Sequence, residues 1–163
     1  MKFEMEKVQL VDVIKEVVRE LQPCVEEKKL KLRVRLPPKL PLVRGDERRI
    51  IQVVSNLLEN ATKFTEKGRI TVDARQEWSN VSVKVEDTGI GIAKKHMPKL
   101  FKKFFQVDSS IKRAAGGTGL GLAICEEIIE AHKGKMWVES WPGVGSAFNF
   151  SIPVFTQRKK KKK

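Results

Sequence analysis

No apolar run in this chain approaches the roughly 20 residues of a membrane span, and the N-terminus "MKFEMEKVQL" has no apolar leader core. Direct insertion into a membrane is not expected. Cysteine is scarce. Cys24 and Cys125 stand far apart in helical patterns and match neither a metal-ligand spacing nor a disulfide framework. That fits a reducing, cytoplasmic setting. Aromatic residues make up only 7% and are little interleaved with basic ones. The net charge of +13 would otherwise point to nucleic acid, but six positive charges belong to the tail Arg158 to Lys163, "RKKKKK". Nucleic acid is therefore not the expected partner. The scattered remainder suits a phosphate-bearing small ligand or an acidic partner.

What is present fits one soluble domain: 163 residues, 40% hydrophobic and 33% charged. Residues 1–155 read as that domain, and 156–163 as a basic tail outside it. Residues 10–28 carry Leu10, Ile14, Val17, Val18, Leu21 and Val25 at helical spacing, with a kink expected at Pro23. "LKLRVRL" (30–36) alternates strictly and predicts a half-buried strand. A second helix starts at the N-cap Asp46 and runs to about Phe64. "GRITVDARQ" and "NVSVKVED" predict two antiparallel strands, with a turn around Trp78, Ser79 and Asn80. Residues 88–118 form a long irregular stretch, which is uncommon unless functional or disordered. A third helix over 119–132 precedes two final strands, "KMWVES" and "SAFNFSIPV". This order predicts a mixed sheet covered by helices on one face.

On the second helix, Ile50, Val54, Leu57, Leu58 and Ala61 form a core face. Asn56, Asn60 and Lys63 follow at i, i+4 and i+7 on the other side. A solvated face would account for them. However, such faces usually carry Glu, Lys and Arg, since Asn is a poorer helix former. Two amide oxygens one turn apart, then an ammonium, can instead hold a divalent ion and a phosphate together. "VEDTGIGI" (85–92) ends a strand on an acid followed by glycines. It is either an ordinary turn or a carboxylate for an exocyclic amine, with room for a flat ring. "GGTGLGL" (116–122) places four glycines at a helix start, where free backbone N–H groups suit an anion.

Taken together, these motifs resemble the catalytic and ATP-binding domain of a sensor histidine kinase, in the superfamily of gyrase, heat-shock chaperone, histidine kinase and mismatch-repair ATPases. The resemblance runs from about Val8 to Phe155. "NLLENATKF" resembles the N box, "EDTGIGI" and "GGTGLGLAI" the two glycine boxes, "LFKKFFQVD" the F box, and "GVGSAFNFSIP" the closing strand. The resemblance implies a two-layer α/β sandwich of the Bergerat type. Its mixed, mostly antiparallel sheet is covered by helices on one face, with a mobile ATP lid at 93–118. It implies ATP and Mg²⁺ as cofactors and Asn60 as metal ligand, with Asn56 and Lys63 at the phosphates. Phe64 would flank the adenine or ribose, and Asp87 would accept the adenine amino proton. Gly89, Gly91 and Ile92 would shape that pocket, with Ser146 also at the nucleotide. Gly117, Thr118, Gly119, Leu120 and Gly121 would wrap the triphosphate. Phe101, Phe104 and Phe105 would anchor the lid.

Two departures qualify the match. Gln106 stands where many such kinases carry a basic residue, so Lys112 or Arg113 is expected to compensate the γ-phosphate. Neither His96 in "KKHMPK" nor His132 in "EAHKGK" fits the pattern of a phosphoacceptor histidine. The resemblance therefore implies a separate dimerisation and phosphoacceptor domain and a response regulator receiver domain as partners, and a monomeric chain. Asn56 also stands where hydrolytic relatives carry a water-activating glutamate, so little intrinsic ATP hydrolysis is expected. Serine-directed kinases of the same fold, and ATP-binding docking modules without transfer, are the competing readings.

Overall fold

The computed structural model describes residues 2–102 and 121–156. Its main sheet has five strands: β2 (Lys31–Arg35), β4 (Arg69–Glu77), β5 (Asn80–Asp87), β6 (Lys135–Trp141) and β7 (Gly145–Pro153). They lie in the order β2-β4-β5-β7-β6. Only β2 and β4 run parallel, because the chain crosses between them through a helix; the other neighbours are antiparallel. Three helices cover one face: α1 (Leu10–Glu27), α2 (Glu47–Lys63) and α3 (Gly121–Ala131). The core between the layers joins Ile14 and Val17 of α1, Leu57 and Leu58 of α2, and Ile128 and Ile129 of α3 to Ile70, Val83, Phe150 and Ile152 of the strands. This is the expected two-layer mixed architecture.

The helices begin where their sequence allows. The Asp46 carboxylate caps α2, its Oδ1 accepting from Arg49 N at 3.2 Å. Gln9 caps α1 and also clasps the loop after β2, exchanging two hydrogen bonds with the Leu40 backbone. α1 continues through Pro23 to Glu27, then closes with Lys29 at φ 60. Lys29 N–H bonds to Glu26 O there, and Leu30 N–H to Val25 O.

Three features differ from the sequence expectation. A second sheet of two three-residue strands, β1 (Glu6–Val8) and β3 (Val43–Gly45), precedes α2. Strands this short show no readable alternation. β2 is less buried than its pattern predicts: Val34 is 38% exposed because β2 is an edge strand. A short 3-10 helix, Lys94–Lys99, interrupts the stretch expected to be irregular. The β4–β5 turn is two residues long, with Trp78 at φ 56.

Candidate functional site

The site grows from the polar side of α2. Val53, Val54, Leu57, Leu58 and Ala61 are buried, while Asn56 and Asn60 are half-buried and Lys63 is exposed. Glu59, between them, is exposed. The first residue of α3 packs directly on Asn56: a Cβ on Gly121 would stand 2.6 Å from Asn56 Nδ2 and 2.8 Å from Oδ1. One turn along α3, buried Cys125 meets the same carboxamide. Burial pushes the Cys125 thiol up to about 12 despite the hydrogen bond from Asn56. The thiol is therefore neutral, and part of the fixed surround of Asn56 rather than a nucleophile.

A second group of residues converges at the end of β5. Asp87 is buried, and its Oδ1 accepts the Gly89 N–H at 2.8 Å. Burial raises its carboxyl above the usual range, although amide hydrogen bonds from Gly89 and Ser146 pull it down and Glu86 pushes it up. Ser146 sits opposite Asp87 in the β5–β7 ladder. The turn after Asp87 is tied to the end of α2. Ile90 N–H bonds to Phe64 O at 3.3 Å, and a Cβ on Gly89 would lie 2.3 Å from that same oxygen. Phe64 is the C-cap of α2, so the end of that helix and the turn after Asp87 share one anchored corner.

A hydroxyl network holds the far side of this corner. Ile92 N–H donates to Ser140 Oγ at 2.7 Å. Ser140 Oγ also lies 2.8 Å from Ser146 Oγ and 3.1 Å from Gly145 O. Gly91, at φ 72, passes beneath Trp141, where a Cβ would meet Trp141 O at 2.3 Å. Glycine is required here by both backbone angle and space.

Of the residues singled out in sequence, Asn56 and Gly121 therefore touch, as do Asp87, Gly89 and Phe64, while Ile92 and Ser146 meet through Ser140. Phe101 is half-buried, next to buried Leu100. Phe104, Phe105, Lys112, Arg113, Gly117, Thr118, Gly119 and Leu120 lie outside the described residues. Sequence reasoning missed Ser140, which no motif marks. It also missed Lys28, whose Nζ donates to Thr62 O at 2.7 Å and Lys63 O at 3.2 Å and so caps the end of α2. A lysine just past α1 gives no hint of which helix it caps.

Among the described residues, no three His, Cys, Asp or Glu side chains cluster as metal ligands. The donors on offer are the amide oxygens of Asn56 and Asn60. This set suits Mg²⁺, which takes few protein oxygens and completes its shell with phosphate and water. The Asp87 carboxylate accepts the Gly89 N–H at Oδ1 and a second amide hydrogen bond from Ser146.

Comparison with known proteins places this geometry. A family described as histidine kinase-, DNA gyrase B-, and HSP90-like ATPase matches residues 45–156. The sensor histidine kinase RcsC of Escherichia coli (strain K12) is 41% identical over 153 residues, covering 93% of this chain and 16% of that protein. The adaptive-response sensory kinase SasA of Thermosynechococcus vestitus is 42% identical over 149 residues, covering 90% of this chain and 39% of that protein. The chain thus spans well under half the length of either relative. Among solved structures, the nucleotide-free catalytic domain of histidine kinase ThkA superposes with a TM-score of 0.81 at 31% identity, covering 93% of this chain and 99% of that one. Full-length ShkA in complex with AMPPNP gives a TM-score of 0.83 at 29% identity, over 98% of this chain and 33% of that one.

Proposed function

This chain belongs to the histidine kinase-, DNA gyrase B- and HSP90-like ATPase family, as a catalytic, ATP-binding domain of the sensor histidine kinase type, and we propose that it presents the ATP γ-phosphate to a histidine on a separate phosphoacceptor domain. The observation that carries this is the pairing of two sub-sites on one helix. α2 offers amide oxygens at Asn56 and Asn60, and its C-cap Phe64 is bonded to the turn that follows buried Asp87.

Asp87 selects the base. Oδ1 is held by the Gly89 N–H, and the remaining oxygen accepts from the exocyclic amine of adenine. Gly89 and Gly91 keep side chains out of the base plane, and Phe64 lies along the base or ribose. Asn60 would hold Mg²⁺, with Asn56 and Lys63 directed to the phosphates. When bound there, the ion would supply charge neutralisation for the triphosphate. The chain's own residues position and neutralise, which is the main requirement of phosphoryl transfer. The nucleophile is the imidazole of the partner domain, so the N-box helix needs no strong base. Asn56 cannot accept a proton from water, consistent with transfer rather than hydrolysis. The phosphoacceptor domain and then a receiver domain are the partners this chemistry requires.

The test is incubation with γ-labelled Mg·ATP and a separately purified phosphoacceptor domain of this kinase class. The expected product is a label on the added domain that is stable in base and labile in acid. An acid-stable phosphoserine, or nucleotide binding without any transfer, would overturn the assignment.

A further inference from the structure

At the pole opposite Asp87, where β7 ends and α3 terminates, lies a half-open cavity of about 410 Å³, its charged lining residues exposed. That volume lies within the range of small-molecule sites. Met5, Val154 and Phe155 supply apolar wall, Arg44 and Lys133 supply charge, and no lining residue is acidic. The Lys7 ammonium adds a third positive charge nearby, 5.1 Å from the centre of the Phe155 ring. Among the described residues neither Arg44 nor Lys133 forms an ion pair, and the carboxylate of neighbouring Asp46 is held by the Glu4 and Arg49 amides.

The remaining polar groups here are already used. His132 is buried, with Nδ1 2.7 Å from Ile128 O and Nε2 accepting the Asp46 N–H at 2.9 Å. It therefore faces the cavity as a ring without a free nitrogen. Two of the last carbonyls of α3 are also occupied: Ile129 O accepts from Gly134 N–H and Glu130 O from Lys133 N–H. The negative end of the helix is thus muted by its own caps. Recognition of charge falls to Arg44 and Lys133, beside an apolar wall.

From this arrangement we infer a second ligand site, remote from the nucleotide, for a small organic carboxylate with a rigid apolar body. A guanidinium and an ammonium can share one carboxylate through charge-assisted hydrogen bonds. A flat apolar body would cover Val154 and Phe155 with little loss of ligand entropy. The site does not rest on the ATP reading.

The probe is 2-naphthoate, titrated into the ¹⁵N-labelled full chain and followed by amide shifts. 2-Naphthamide serves as the uncharged comparator. Shifts are expected at Lys133, Gly134, Val154 and Phe155, with half-saturation at or below about 1 mM. The double variant Arg44→Ala, Lys133→Ala is expected to weaken binding at least about tenfold. Ala131→Leu, which fills the cavity from the end of α3, is expected to do the same while keeping both charges. Shifts absent from this pole, equal binding of naphthamide, or displacement of naphthoate by Mg·ATP would each overturn the inference.

Discussion

Gly121 opens α3 so close to Asn56 of α2 that a Cβ would stand 2.6 Å from the Asn56 amide nitrogen. The polar edge of one helix is thus set by the bare backbone of another. Gly121→Ala gains helix propensity, worth about 1 kcal/mol at most, and the Asn56 side chain can swing aside. The fold should survive with its melting temperature little changed. The displaced carboxamide should weaken Mg·ATP binding roughly tenfold, about 1.4 kcal/mol. Calorimetric titration beside a thermal melt separates the two effects, and a large fall in melting temperature would contradict this account.

Asp87 Oδ1 accepts the Gly89 N–H at 2.8 Å, and in the proposed function the carboxylate also accepts from the base amine. In Asp87→Asn the oxygen stays with Gly89, so an NH₂ group meets the adenine amine. ATP affinity should fall by about 1–3 kcal/mol, the cost of a mismatched buried donor. ITP, which offers a carbonyl at that position, should lose much less. Competition between ATP and ITP on both proteins measures the switch.

The two buried carboxylates should respond to pH in opposite senses. Burial, as the largest influence, raises Asp87 above the ordinary value of 3.8. Its contribution therefore favours the fold below that value and is lost as pH rises through the folded pKa. For Asp46, burial alone would raise the carboxyl, but the amides of Glu4 and Arg49 outweigh it and the net direction is down. Its contribution is present above 3.8 and lost as pH falls through the folded pKa. Asp46→Ala should cost about 0.5–2 kcal/mol at neutral pH as a lost N-cap, and that gap should shrink in acid. The stability advantage of wild type over Asp87→Asn should shrink as pH rises. Urea melts from pH 3 to 7 read both trends.

Gly143 and Gly145 stand in one turn and test two different reasons for glycine. Both have positive φ, 77 and 150. A Cβ on Gly143 meets nothing within 4 Å, whereas one on Gly145 would lie 2.0 Å from Asp87 O. Gly143→Ala should cost about 1 kcal/mol, the backbone strain alone. Gly145→Ala should cost roughly 3 kcal/mol or more and disturb nucleotide binding, because the obstructing atom is backbone of the base-selecting residue. Denaturant unfolding of the two variants gives the difference directly.

The sequence pattern made the main sheet and three helices legible because each carries an unbroken apolar stripe or a strong cap. Asp46, Ile50, Leu57 and Asp87 could be placed from spacing alone. β1 and β3 escaped because three residues cannot show alternation, and their pairing joins positions some forty residues apart. The residues of the candidate site that sequence singles out, such as Asn56, Asn60 and Asp87, are those that lie within a local motif. The site was opaque where the geometry is long-range. Ser140 acts through Ser146 and Ile92, and Lys28 caps a helix more than thirty residues away. His132, bonded to the amide of Asp46 across 86 residues, is likewise invisible to any window.

The order β2-β4-β5-β7-β6 carries a consequence for synthesis. β7 is the last of the seven strands to emerge, yet it fills an interior lane between β5 and β6. Until it arrives, β5 is an open edge beside an unfinished apolar layer, the kind of edge that invites pairing with other chains. The partner of Asp87 in that lane, Ser146, comes late as well. A ribosome-bound chain therefore cannot complete the corner around Asp87 while β7 is still in the exit tunnel. Nucleotide can stabilise the newly made domain only once β7 is in place, and a slow arrival of β7 lengthens the exposure of β5 to misassembly.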